Sequence, residues 1–343
     1  MTINTQRRQL IQSLSLLPAA SLLGFSPWAK AATELRISHQ FPGGTLTSGD
    51  FRDRLCRQFA VELDKQSHGA LKAVVYANSS LMKTKAQFAA MRRAALDMAL
   101  IPLDYAGGEV PETNIGLMPG IITSYKKGVE FKTSEAGKML YDVLESKGIL
   151  LVSWVWQAGG VASRNKAIID PNDAKGLKVR GGSRGMELIL REAGASVMSI
   201  PSNEIYASMQ TGALDAAMTS STSLMSFRLE EVAKELTTGR DKTYWFMFEP
   251  LMISRDVFNR LGKPEQDLIM TVGAQMENFA LTACKADDQK VAEVYMKSGG
   301  HAHDMNQAIV GRWQEIAKRT AWQDFANRSP SCAKLLKAAE KLV

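Results

Sequence analysis

Hydrophobic residues recur in two rhythms along the chain. Leu35 and Ile37 alternate with polar residues, as in a short strand, and Leu71 to Tyr76 is similarly β-prone. Phe51, Leu55, Phe59 and Leu63 lie four apart on one helical face, and Gly69 ends that helix. Thr84 can cap a helix to Leu96, and Asp97 then leads into the strand-like Met98-Ala99-Leu100-Ile101. A helix near 128–146 feeds the apolar run Ile149 to Trp156. The pattern restarts near 177 with a Leu177-Lys178-Val179 strand and a Met186 to Ala193 helix stopped by Gly194. Ser202 can cap Asn203 to Thr211, Gly212 ends it, and Leu214 to Met218 is the next strand. Tyr244 to Ser254 is apolar apart from Glu249-Pro250, and long helices follow over 264–298, 304–326 and 331–341. This alternation predicts an α/β architecture with mostly parallel strands.

One segment is echoed. Met91-Arg92-Arg93-Ala94-Ala95-Leu96-Asp97-Met98-Ala99 resembles Met209-Gln210-Thr211-Gly212-Ala213-Leu214-Asp215-Ala216-Ala217 at a constant offset of 118 residues. Each copy sits where a helix turns into a strand, with Leu packing inward and Asp at the turn. Two lobes built from one βαβ unit would produce such an echo.

The first thirty-one residues carry Arg7, Arg8 and Lys30, no acidic residue, and an apolar run from Leu10 to Phe25. Ala29-Lys30-Ala31 supplies the small-x-small site of a signal peptidase. Residues 1–31 are therefore expected to be a signal peptide, with Arg7-Arg8 fitting the twin-arginine route. Its removal lowers the formal net charge from +7 to +4. The remaining charges are mixed along the 343-residue chain, which argues against nucleic-acid binding. With 45% hydrophobic residues the chain can bury its own core, as a protein outside the cytoplasm. Cys56, Cys284 and Cys332 contain no CxxC spacing, and a Cys284–Cys332 bridge would leave one thiol.

Three groups of residues can carry chemistry. Gly181-Gly182-Ser183-Arg184-Gly185 matches GxSxG between a strand and a helix. As a nucleophile, Ser183 would need Asp215 or Asp256 and then His301 or His303, which defines a secreted esterase as the alternative function. No HGGG-type oxyanion segment accompanies it. His301-Ala302-His303-Asp304 reads as a solvated loop capping the next helix rather than a metal site. No Walker A sequence or dinucleotide fingerprint occurs, so neither a cofactor nor a metal is expected. His39 ends the first strand, where it can face a ligand. Arg180 ends the strand in Lys175-Gly176-Leu177-Lys178-Val179-Arg180. In α/β sheets ligand crevices lie at carboxyl ends of strands, and a guanidinium fork fits a carboxylate bidentately.

The run Lys175 to Arg180, then Gly194-Ala195, then Pro201-Ser202-Asn203-Glu204-Ile205-Tyr206-Ala207-Ser208-Met209-Gln210-Thr211-Gly212-Ala213-Leu214-Asp215 resembles the solute-binding proteins of TRAP transporters. The resemblance implies a two-lobed periplasmic-binding-protein fold with hinge strands and long C-terminal helices. Lobe I would comprise 33–156 plus 246–285, and lobe II 157–245 plus 286–343. It also implies a monomeric, non-catalytic periplasmic protein that traps a small organic acid and delivers it to the permease subunits of a TRAP transporter. Arg180 matches the family's carboxylate anchor. Sialic-acid-binding members carry a second arginine where Gly160 stands here, and an asparagine where Thr219 stands. Thr219 and Ser220 can still offer hydroxyls to a carboxylate or to an oxo or hydroxy group. Trp154 and Trp156 would share one strand face, and Tyr244, Trp245, Phe246 and Phe248 cluster in a hinge segment. Trp245 and its neighbours can form an apolar wall, with Gln157 as a polar handle, for a monocarboxylate. Glu249 could add an oxygen to a cation.

Overall fold

The computed structural model of the chain describes residues 32–240 and 242–343, so the expected signal peptide lies outside the described residues. The apolar segments form two sheets. The first contains β1 (Thr33–His39), β2 (Leu71–Tyr76), β3 (Met98–Leu100), β4 (Ile149–Ser153) and β11 (Leu251–Ser254), in the order β2-β1-β3-β11-β4. The second contains β5 (Trp156–Ser163), β6 (Lys178–Arg180), β7 (Ser196–Met198), β8 (Ala216–Ser220), β9 (Glu235–Thr238), β10 (Phe246–Phe248) and β12 (His301–Asp304). Its order is β12-β9-β5-β8-β6-β7, with β10 also pairing with β5. Both sheets are mixed rather than mostly parallel. β11 runs antiparallel to β3 and β4, and β5 antiparallel to β8, β9 and β10, because these strands return between the sheets instead of following a crossover helix.

The chain crosses between the sheets at Trp154-Val155 and at Glu249-Pro250. The second crossing falls a few residues after the expected 246, because β10 stays paired with β5. The helix Lys263–Lys297 runs 35 residues and packs on strands of both sheets. The C-terminal helices Gln307–Ala317, Gln323–Ala326 and Pro330–Glu340 pack between the helix Arg184–Glu192 and the helix Glu135–Ser146. One buried cluster consequently runs from Phe131 and Leu140 through Trp156 and Val179 to Trp313 and Phe325.

The echoed segment is a repeated structural joint. Ala94 and Gly212 occupy equivalent positions and both adopt left-handed backbone, with φ of 53° and 75°. Leu96 and Leu214 are both fully buried. Asp97 accepts the main-chain N–H of Arg36 at 2.8 Å, and Asp215 accepts that of Lys178 at 2.8 Å. Each aspartate thus ties its own strand to the neighbouring parallel strand, β3 to β1 and β8 to β6.

Several local expectations change. The helix near 128–146 is two helices, Tyr125–Thr133 and Glu135–Ser146, because the Ser134 side chain caps the second by accepting from Gly137 N. His301 and His303 are not in a solvated loop. They lie in edge strand β12 and bracket Glu235 at 2.9 and 2.7 Å. Trp154 and Trp156 flank the crossing instead of sharing a strand. Cys56, Cys284 and Cys332 are all buried and free, so the Cys284–Cys332 bridge is not formed.

Candidate functional site

Strands β1, β6 and β8, and the turn that follows β3, each deliver a polar residue that the surrounding structure buries: Gln40, Arg180, Ser220 and Asp104. Arg180 closes β6 and is only 3% exposed. Its Nε donates to Ile200 O at 3.0 Å, Nη1 to Met218 O at 2.6 Å and Nη2 to the Tyr105 hydroxyl at 3.1 Å. A guanidinium has five N–H donors. Three are taken by neutral oxygens, which leaves one on each terminal nitrogen among the described residues. Such a pair suits the two oxygens of a carboxylate. Tyr105 also accepts from Ser202 N at 3.0 Å, so its own hydroxyl proton is free to donate.

A cavity of about 310 Å³ opens here, lined by Asp104, Tyr105, Asn114, Ser183, Glu187 and Ile200 among others. The guanidinium adjoins two of the lining residues: Nη2 bonds the Tyr105 hydroxyl at 3.1 Å, and a Cβ on Gly182 would stand 3.3 Å from Nη1. Asp104 is buried with neither oxygen in a hydrogen bond. Burial pushes it up to about 7, against the pull of the Arg180 charge. At the end of β1, Gln40 is 1% exposed and both of its amide atoms lack a partner.

A second buried polar cluster joins the two sheets. Arg52, in the first turn of the helix Phe51–Gln66, is fully buried. Nε and Nη2 donate to Asp50 at 2.9 and 2.7 Å, and Nη1 to Glu249 at 3.1 Å. Nη1 also reaches Ser220 Oγ at 3.3 Å and Nη2 reaches Ser223 Oγ at 3.0 Å. Its guanidinium carbon sits 3.6 Å above the Phe41 ring centre. All five donors are used. Burial works to raise Asp50, but the Arg52 charge and hydrogen bonds hold it below the ordinary carboxylate range. Burial pushes Glu249 up to about 7 in spite of Arg52.

The expected site residues therefore divide. Arg180 lies against the cavity, and buried Thr219 is the residue after its Met218 acceptor, opposite Gly160 on β5. Ser220 is committed elsewhere, capping the helix Ser221–Ser226 and taking an Arg52 N–H. Gln157 Nε2 donates to Glu249, and its Oε1 has no partner. Arg52 and Gln157 both hold Glu249 through Oε2, and its buried Oε1 has no hydrogen-bond partner. Trp245 is buried over Gly159, where a Cβ would come within 2.2 Å of its ring. His39 serves its own loop: Nε2 lies 3.1 Å from Asp53, and Nδ1 accepts from Phe41 N. Trp154 and Trp156 pack on Phe248 with ring centres 5.0 and 4.9 Å apart, as core. Asp104, Tyr105, Gln40 and Arg52 went unread in the sequence; the strand-end rule that flags Arg180 also covers Gln40 and the Asp104-Tyr105 pair.

Ser183 is not a nucleophile. Its hydroxyl donates to Leu117 O at 3.0 Å and caps the helix Arg184–Glu192 by accepting from Met186 N. His301 and His303 are both held by Glu235. No group of three metal-ligating side chains occurs among the described residues.

Two lobes, two inter-sheet crossings and a cationic fork beside an inter-lobe cavity define the class of hinged solute-binding proteins. The chain belongs to the bacterial extracellular solute-binding protein family 7 (DctP), whose profile matches residues 45–328. A solute-binding protein of Albidiferax ferrireducens is 60% identical over 98% of this chain and 99% of its own. The crystal structure of a TRAP periplasmic solute-binding protein from Rhodoferax ferrireducens, with bound malonate, superposes with a TM-score of 0.89. It is 61% identical and covers 90% of this chain and 98% of that one. A TRAP periplasmic solute-binding protein from Sulfitobacter with bound β-D-galacturonate has a TM-score of 0.81 at 20% identity, covering 90% and 100% of the chains, and shares the fold. Members of the family bind solutes and are not enzymes. No helix among the described residues is long and apolar enough to cross a membrane.

Proposed function

We propose that this protein is the periplasmic receptor of a TRAP transporter, capturing a small organic acid through Arg180 and presenting it unchanged to the membrane permease. One observation carries the reading. Arg180 is a buried cation whose hydrogen-bonded partners are all neutral, with one N–H left on each terminal nitrogen beside a cavity of about 310 Å³. A carboxylate supplies the missing acceptors and a hydrogen-bonded counter-charge, which nearby Asp104, bonded to nothing, does not. Tyr105 adds a hydroxyl proton from the first lobe, so an anion on Arg180 also favours closure of one lobe on the other. Malonate in the 61%-identical relative and galacturonate in the distant one support an acidic ligand. Residues 1–31 then act as the export signal.

A thermal-shift screen across monocarboxylates, dicarboxylates and sugar acids tests the proposal, followed by calorimetry on the best binder. Stabilisation by at least one acid is expected, and Arg180→Ala should abolish it. A loss under threefold in that variant would remove Arg180 from the site.

A further inference from the structure

The cavity beside Arg180 holds a second charged group whose bonding is incomplete. Asp104 follows β3 on a short turn, Leu103–Ala106, and lines the cavity together with Tyr105. It is 6% exposed, and both carboxyl oxygens lack a hydrogen-bond partner. A buried polar group left in that state is expensive unless something binds it.

The charged groups around it do not bind it. Arg180 spends its bonds on Ile200, Met218 and Tyr105. Arg184, at the start of the helix opposite, and Arg328, in the turn after Gln323–Ala326, both pair with Asp324. Lys85 reaches Ser199 O at 3.3 Å. Glu112 on the adjoining turn accepts from Ser329 at 3.4 Å. Glu187 and Glu249 add negative charge that favours a protonated Asp104. Burial is the larger cause, and together these balance Asp104 between acid and carboxylate near neutrality.

We propose that Asp104 is a specificity-determining residue that reads the polar group a ligand carries opposite the carboxylate anchored on Arg180. As a carboxylic acid, Asp104 donates its O–H to a second carboxylate, the proton having come from solvent. As a carboxylate, it accepts from a ligand hydroxyl. The same pocket thereby takes dicarboxylates with uptake of one proton, and hydroxy acids without it. This rests on the carboxylate-receptor reading and adds to it the second ligand group. The sign follows directly. Proton uptake makes dianion binding strongest at low pH and weakens it as pH rises through the Asp104 value.

Malonate and glycolate serve as probes, titrated calorimetrically between about pH 6 and 8.5. In the wild type, malonate affinity should fall about tenfold per pH unit above neutrality, while glycolate should change less than about threefold. Repeating the malonate titration in two buffers of different ionisation enthalpy should give uptake of one proton near pH 8. Asp104→Asn, which keeps a donor and cannot titrate, should flatten the malonate profile. An equal slope in wild type and Asp104→Asn, or no proton uptake by the wild type, overturns the inference. If the variant does not fold, the wild-type proton count still decides. Absence of any binding by wild-type protein counts against the carboxylate-receptor reading itself and takes this inference with it.

Discussion

Two arginines sit at the junction of the lobes, and the structure treats them in opposite ways. Arg52, from the first lobe, spends all five donors on Asp50, Glu249, Ser220 and Ser223, and two carboxyl groups share its charge. Arg180, from the second, spends three donors on two carbonyls and a phenol and has no hydrogen-bonded carboxylate. Burial alone does not distinguish them; saturation does. A saturated guanidinium is part of the frame, whereas one with spare donors and no hydrogen-bonded carboxylate has room for an anion.

The contrast can be broken by substitution. Arg52→Ala leaves Asp50 buried without its counter-charge and should lower stability by about 3–5 kcal/mol, read from a shifted urea midpoint. Arg180→Ala should instead act on ligand, weakening the cognate acid by roughly 100-fold or more in calorimetry. A larger binding defect in Arg52→Ala than in Arg180→Ala, with folding intact, would reverse the roles. Arg180→Lys keeps the charge and loses the fork, so affinity should drop by about tenfold. The smallest effects belong to the repeated joint. Asp215→Ala removes the acceptor of one strand N–H and should cost about 1 kcal/mol, and Asp97→Ala should cost somewhat more, because Asp97 also accepts from Nε and Nη2 of the half-exposed Arg36.

Part of this was legible in the sequence. Arg180 could be read because a local pattern, strand then glycine turn, placed it at a strand end. The echo at 118 residues survived as matching left-handed backbone at Ala94 and Gly212 and matching aspartate acceptors. The Arg52 network was not readable by periodicity, since Arg52 and Glu249 are 197 residues apart. One clue existed: a cation in the first turn of a helix opposes the helix dipole and calls for a compensating reason. Ser220 and His39 have the right chemistry for a ligand, but nearer partners claimed them, and Gln157 gives its amide nitrogen to Glu249. The strand-end rule reaches Asp104 and Tyr105 only as a turn after β3, and packing decides which way their side chains point.

Three strands approach closely at Gly159-Gly160. A Cβ at Gly160 would lie 2.3 Å from Thr237 O, and one at Gly159 would lie 2.3 Å from Thr219 O. A second arginine cannot enter at Gly160 without prising β5 from its neighbours. A ligand preference that needs a long side chain at Gly160 is therefore closed to this sheet unless β5 shifts.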